Sequence, residues 1–332
     1  MAKTKESPKA TLSLGAADAR KAYRTMLLAR TIDERMWTLN RAGKAPFVIP
    51  CRGQEAAQVG WGMGLRPSDF FLPYYRDIGV VLTLGYSARQ AFLSLLGKAE
   101  EFTSGGRQMP GHYSWAERHV ITGSSPVTTQ VLHAVGIAYA SRMRGEDAVA
   151  AVALGEGSTS QGDFHEALNW ASIFKLPVLF VVENNGYAIS SPQSREMAVQ
   201  DVAERALGYG MAGVTVDGTD VFACYEATVQ AAERARRGDG PTLLEFKMYR
   251  LLPHSSDDDD RTYRSREEVE AWKGRDPILR MREHVLSAGI MTAEEIDALR
   301  AEVQAEVDEA IAYAEAAPYP AVEDMFSHVY AD

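Results

Sequence analysis

Residues 148–187 read AVAAVALGEG (148–157), STSQGDFHEALNWASIFK (158–175) and LPVLFVVENNGY (176–187). Ala148–Leu154 is an unbroken run of small and apolar residues, the pattern of a strand buried on both faces. Gly155-Glu156-Gly157 interrupts it. From Gly162 to Lys175, Phe164, Ala167, Leu168, Ala171 and Phe174 recur at helical spacing. Pro177–Val182 is a second apolar strand, followed at once by Glu183-Asn184-Asn185-Gly186-Tyr187. Strand, helix and strand make a βαβ unit, whose crossover is right-handed in about 98% of cases and whose strands are parallel. Both polar clusters therefore leave the same carboxyl edge of a sheet. Open α/β sheets bind their ligands at that edge, where Glu156 and Asn185 are expected to meet.

A carboxylate, an amide and flanking glycines suit Mg²⁺, which takes a few protein oxygens together with those of a phosphate. Glycine lets the backbone approach that phosphate closely. A P-loop requires Lys after Gly162, where Asp163 stands, and the Rossmann fingerprint requires Gly where Ser160 stands. An ordinary βαβ turn with glycines for tight geometry accounts for the GxG alone. The Asn-Asn pair, with 26 residues between Gly157 and Asn184, goes further. The combination resembles the thiamine diphosphate motif, Gly-Asp/Glu-Gly followed some distance on by Asn-Asn. The resemblance implies Mg²⁺ held by Glu156, Asn185 and the main-chain carbonyl of Tyr187.

Outward from this unit the chain reads as α/β, with an open, mostly parallel sheet, helices on both faces, and helical extensions at the two ends. Residues 1–15 read as a disordered tail, 16–290 as the α/β domain, and 291–332 as a helical extension packed on that domain or on a partner. Asp18–Arg41 is a long helix with one broad apolar face. Gly60, Gly62 and Gly64 lie in a small-residue helix that either packs tightly inside the chain or contacts another subunit. Tyr74, Tyr75 and Arg76 stand together, in the first instance as a surface cation–π pair.

The segment 105–119 is a Gly-, Pro- and polar-rich loop of the kind that carries function. It runs into TGSSPVTTQ (122–130), which is either an N-cap with a solvated turn or a cation or phosphate site at a helix N-terminus. Further strands lie at Gly213–Asp217 and Thr242–Tyr249, around a helix from Val221 to Arg236. RLLPHSSDDDD (250–260) is expected to be a mobile, solvated loop, because four adjacent Asp repel one another. Its His254 is expected to titrate near neutrality. Ser265–Glu268 and Thr292–Glu295 both read as capping boxes.

The bulk numbers exclude several classes. With 332 residues and 46% hydrophobic content the chain can bury a large core. The 35 basic against 45 acidic residues give −10, which argues against nucleic acid. There is no apolar run of membrane-spanning length, about 20 residues. The opening residues lack a signal peptide's apolar core, and Cys51 and Cys224 are the only cysteines, so a reducing cytoplasm is expected.

Together these landmarks resemble the alpha subunit of the first, decarboxylating component of 2-oxo acid dehydrogenase complexes, over nearly the whole chain after residue 15. GRQMPGHYSWAERH (106–119 region), GSSPVTTQ (123–130) and YRLLPHSSDDDD (249–260) are similar to the branched-chain enzymes. The resemblance implies cofactor contacts at Tyr75, Arg76, Ser125, Val127, Gly155, Glu156, Gly157, Ser158, Asn185 and Tyr187. It also implies a potassium ion at Ser124, Pro126, Thr129 and Gln130, and a catalytic, cofactor-touching His254. Arg250, Asp258, Tyr263 and Arg264 match residues that order the His254 loop. Ser255 and Ser265 match sites phosphorylated in mitochondrial relatives. Glu183 departs from the pattern, standing where some branched-chain relatives carry an Arg on the diphosphate. The implied partners are a beta subunit in a heterotetramer, the lipoyl domain of an acyltransferase, and small 2-oxo acids. Pyruvate or acetoin is the alternative substrate, and a non-catalytic scaffold the alternative of another class.

Overall fold

The computed structural model describes residues 14–327 and 329–330; the expected tail falls almost wholly outside them. Its strands are β1 (Phe70–Leu72), β2 (Ala150–Gly155), β3 (Val178–Asn184), the short antiparallel pair β4 (Tyr187–Ala188) and β5 (Ser191–Pro192), β6 (Ala212–Asp217) and β7 (Thr242–Lys247). Five of them form one parallel sheet in the order β1-β2-β3-β7-β6.

The apolar runs of β2 and β3 are buried on both sides because consecutive side chains alternate between two cores. Ala150, Val152 and Leu154 join Val178, Phe180 and Val182 beneath the helices Thr129–Arg144 and Gly162–Ile173. Ala151, Ala153, Leu179 and Val181 face the other way, toward the helix Val221–Arg236. Right-handed crossovers explain the division: β1, β2 and β3 advance across the sheet, whereas β6 to β7 steps back and places its helix on the opposite face.

The terminal helices Ala16–Arg41 and Ala293–Ala316 add a further layer on that second side, with Ile32, Val303, Val307 and Ile311 in the shared core. The small-residue helix is internal. A Cβ on Gly60 would stand 2.6 Å from Cys224 Cβ, and one on Gly64 2.7 Å from Thr228 Cβ, so the glycines let Glu55–Met63 and its capping Gly64 lie directly on the helix Val221–Arg236. Among the described residues no helix is long and apolar enough to cross a membrane.

Parallel register brings the functional stretches to one edge. Gly155 pairs with Glu183, and Asn184 with Lys247. The chain therefore leaves β1 toward Tyr74–Arg76, β2 toward Glu156–Ser158, β3 toward Asn185–Tyr187 and β7 toward Arg250–His254, all on the same side.

Candidate active site

These four exits line a cleft of about 510 Å³. Its walls include Tyr75, Arg76, Ser125, Val127, Gly155, Glu156, Gly157, Ser158, Asn185, Tyr187 and His254, so every residue expected to touch the cofactor lies on one cavity. A larger groove of about 1170 Å³ lies behind the 251–261 segment. Its charges are largely spent on each other, as in Arg30–Asp276, Arg52–Glu34 and Arg266–Asp260. The cleft differs in holding buried polar atoms with no partner.

Glu156 and Asn185 are both buried. The main-chain N–H of Asn185 donates to Glu156 Oε2 at 3.1 Å, which locks the two strand ends together. Glu156 Oε1 and Asn185 Oδ1 have no hydrogen-bond partner. Leaving a buried acceptor unpaired costs about 1–3 kcal/mol. Two such oxygens side by side, one anionic, are a donor set suited to a hard divalent cation. Burial pushes the Glu156 carboxyl up to about 7, against the pull of backbone N–H groups and Arg250. Asn184 is structural: it accepts from Gly186 N and donates to Gln193 and to buried Glu245. That frees Asn185 for the cleft.

The two glycines of the GEG turn have different reasons. A Cβ on Gly157 would stand 2.3 Å from Ala188 Cβ, so only glycine lets the turn lie on β4. Gly155 has open space where a side chain would go, on the cleft wall.

Arg76 is buried at 2% exposure, not a surface cation–π pair, although it does lie 5.7 Å from the Tyr75 ring. It donates to Pro50 O and reaches His254, with Nη2 3.2 Å from Nδ1. Arg250 Nη1 approaches the same Nδ1 at 2.9 Å, and its Nη2 donates to Ile189 O. Two donors on Nδ1 fix the neutral tautomer with the proton on Nε2. The expectation of a histidine titrating near neutrality is overturned. Burial, then Arg76 and Arg250, push His254 down to about 3, with Asp258 opposing.

The Asp run is not uniformly solvated either. Asp258 accepts from His254 N and from the Tyr263 hydroxyl, and Asp260 is buried between Arg264 and Arg266; only Asp257 and Asp259 face solvent. Arg264 also donates to Arg250 O. Ser255 is buried. Ser265 caps the helix Arg266–Lys273, but without the reciprocal half of a box, because the Glu268 carboxylate is taken by the Tyr187 hydroxyl. The Thr292–Glu295 box is complete.

Ser124, Pro126, Thr129 and Gln130 cluster at the start of the helix Thr129–Arg144. Thr129 Oγ1 donates to Pro126 O at 3.2 Å, and buried Gln130 Oε1 has no partner. Thr128 adopts a left-handed backbone (φ 73°) and provides no side-chain cap, so the expected N-cap does not form.

Glu183 points away from the cleft, for a reason of strand parity. It is fully buried and accepts from Trp61 Nε1 (3.1 Å), Gln58 Nε2 (3.2 Å) and Tyr74 OH (3.2 Å). Asp77 lies against it, and burial raises both carboxyls, Asp77 well above the usual range.

Sequence reading missed Phe47, Ile49, Met109, Pro110, His112 and Ile189, all on the cleft. His112 Nε2 lies 2.6 Å from Ser125 Oγ, and its Nδ1 2.9 Å from Met109 O. Donation from Nδ1 to that carbonyl leaves Nε2 to accept from the serine. The 105–119 loop was the one signal for this pair; nothing periodic marks 47–49.

Comparison with known proteins agrees with this geometry. The family model described as "Dehydrogenase E1 component" matches residues 23–323. The chain is 54% identical to the 2-oxoisovalerate dehydrogenase subunit alpha of Bacillus subtilis, over 96% of this chain and 97% of that protein. It is 42% identical to the 3-methyl-2-oxobutanoate dehydrogenase subunit alpha of Mycobacterium tuberculosis, over 93% and 82%. It is 38% identical to the human mitochondrial 2-oxoisovalerate dehydrogenase subunit alpha, over 93% and 70%.

Proposed function

We propose, from the premise that the chain belongs to the dehydrogenase E1 component family, that its cleft holds thiamine diphosphate through Mg²⁺ on Glu156, Asn185 and the Tyr187 carbonyl. The chain is the alpha subunit of a branched-chain 2-oxo acid dehydrogenase, a thiamine diphosphate enzyme that works with a beta subunit. The observation that carries the metal reading is the pair of unpartnered buried oxygens, Glu156 Oε1 and Asn185 Oδ1.

Bound thiamine diphosphate supplies the electron sink for loss of CO₂. This chain's residues bind and orient around it. Arg76, already buried and directed by Pro50 O, offers a guanidinium to the diphosphate. The open wall at Gly155 and the turn through Ser158 let backbone approach it. His254 keeps its proton on Nε2, held there by the two arginines on Nδ1. In the cofactor-free state it is a hydrogen-bond donor rather than an acid. With the cofactor's negative charge held by Arg76, His254 would feel less of the positive field of Arg76 and Arg250 and would become more basic, toward general acid work.

The unpartnered Gln130 Oε1 supports a potassium ion at Ser124, Pro126, Thr129 and Gln130. Met109, Val127 and Ile189 are exposed apolar residues on the cleft wall, which supports completion of the site by the beta subunit in a heterotetramer. The acyl product passes to the lipoyl domain of the acyltransferase component. Two buried free thiols suit a reducing compartment such as the cytoplasm. The test is the thermal stability of the alpha–beta assembly with thiamine diphosphate. Stabilisation that requires Mg²⁺ and is lost on chelation is expected; stabilisation indifferent to chelator would refute the metal reading.

A further inference from the structure

Behind the Tyr75 side of the cleft lies a second, smaller chamber of about 40 Å³. It shares Phe47, Ile49, Tyr75, Arg76 and Pro110 with the cleft, so a single layer of side chains separates the two spaces. The residues on its far wall include apolar Ile32 and Met36 from the first helix and Ala91 and Leu95, with Ser94 between them, from the helix Ala88–Leu95. Asp33 stands at one end. Its Oδ1 accepts from Cys51 N at 2.9 Å, and its Oδ2 has no partner. Burial raises this carboxyl to about 7, so below that pH the chamber meets an uncharged acid.

One water needs roughly 10–15 Å³ of such space, so the chamber has room for about three water- or methyl-sized groups. The Ile32, Met36, Ala91 and Leu95 side chains favour carbon over water, since removing each methylene from water is worth about 0.8 kcal/mol. The cleft itself is divided in the same sense. Its carboxylate and amide oxygens lie with Glu156 and Asn185, whereas Phe47, Ile49 and Pro110 border the chamber and Arg76 lines both spaces.

We propose that this chamber takes the distal carbons of the substrate's acyl chain, and that Ala91 and Leu95 on its far wall set the chain length accepted. The inference rests on the reading of the cleft as a 2-oxo acid site. None of the far-wall residues lines the cleft, so they select substrate without taking part in cofactor binding. Side-chain motion at Tyr75 and Pro110 joins the two spaces when a chain enters.

The test uses the assembled alpha–beta enzyme with cofactor and Mg²⁺, and a panel of pyruvate, 2-oxobutanoate, 3-methyl-2-oxobutanoate and 4-methyl-2-oxopentanoate. Ala91→Leu fills the chamber. It is expected to lower kcat/KM for 4-methyl-2-oxopentanoate about tenfold or more relative to pyruvate, the scale of one misfitted methylene. Leu95→Ala enlarges the chamber and shifts the preference toward the longer acids; it also carries the test, with Ala91→Val, if Ala91→Leu does not assemble. Calorimetric titration with non-reacting acids from propanoate to hexanoate gives a readout without turnover. Wild type is expected to gain about fourfold in affinity per carbon until the chamber fills, and Ala91→Leu to lose that gain. Turnover of the panel with unchanged rank order in both variants would make the chamber a hydrated packing gap and overturn the inference alone. No turnover of any 2-oxo acid by wild type would overturn it together with the reading of the cleft.

Discussion

Replacing Glu183 with Leu should damage both stability and cofactor binding, although Glu183 is not itself a wall residue of the cleft. Its carboxylate gathers three buried donors, Trp61 Nε1, Gln58 Nε2 and Tyr74 OH. Leucine leaves Trp61 Nε1 unpaired, at about 1–3 kcal/mol, and takes from Gln58 Nε2 and Tyr74 OH a charge-assisted bond of about 1.5–3 kcal/mol each, leaving them Arg76 O and Gln54 Oε1. Relief of a buried carboxyl pair with Asp77 offsets part of that, so the net loss is about 4 kcal/mol. A chain of this length has an unfolding entropy of about 0.7 kcal/mol per degree. The melting temperature should therefore fall by about 6 °C. Cofactor affinity should fall as well, because Gln58 also donates to Arg76 O at 3.1 Å and accepts from Gly79 N, holding the turn that presents the guanidinium. Glu183→Gln keeps an acceptor oxygen and should cost less on both counts. Differential scanning calorimetry and thiamine diphosphate titration of the assembled enzyme measure the two effects. If Glu183→Leu melts within a degree of wild type and binds cofactor normally, the network does not hold the Arg76 turn.

Asp33 titrates at about 7 when folded against an ordinary 3.8, so the native state favours its proton and stability falls as pH rises between those values. Asp33→Asn should match wild type near pH 4 and exceed it at pH 8 by up to about 4 kcal/mol; equal melting at pH 8 would refute this. Gly157→Ala should abolish cofactor binding by driving the turn off Ala188, whereas Gly155→Ala should fold normally and bind cofactor more weakly. Circular dichroism and cofactor titration separate the two, and normal binding by Gly157→Ala would contradict the steric argument. His254→Ala should slow acyl transfer to a lipoyl domain more than it weakens cofactor binding. In the cofactor-free chain the His254 imidazole should stay neutral from pH 8 to pH 5 by NMR, and a midpoint near 6.5 would show that Arg76 and Arg250 do not act on it.

The parts legible in sequence were those set by periodicity and short spacing. The strands flanking GEG and NNG stand out because both faces are buried, and parallel register then forces Glu156 and Asn185 together. What failed depended on how side chains are turned toward one another, which no period or spacing marks. Glu183 sits among the cleft's motif residues, yet its place in β3 turns it toward Trp61 and Tyr74 on the opposite side. His254 lies in an acidic stretch, but the groups on its ring are arginines 178 and four residues away in sequence. The Asp run reads as solvated because local repulsion is visible in sequence and the pairing of Asp260 with Arg264 and Arg266 is not. Glu268 completes no capping box because Tyr187, far off in sequence, takes its carboxylate. Phe47 and Ile49 lie in irregular backbone, where no period marks a wall residue.

Glu156 and Asn185 are proposed to bind thiamine diphosphate through a divalent cation. Calorimetric titration of the assembled enzyme with thiamine diphosphate, in wild type and in Glu156→Gln, tests this most directly. Wild type should bind only when Mg²⁺ is present, and Glu156→Gln should fold normally but bind about 10–100-fold more weakly, the scale of one charge-assisted contact of about 1.5–3 kcal/mol. Equal affinity in the two proteins, or full wild-type affinity without the metal, would show that Glu156 does not hold the cofactor through a cation.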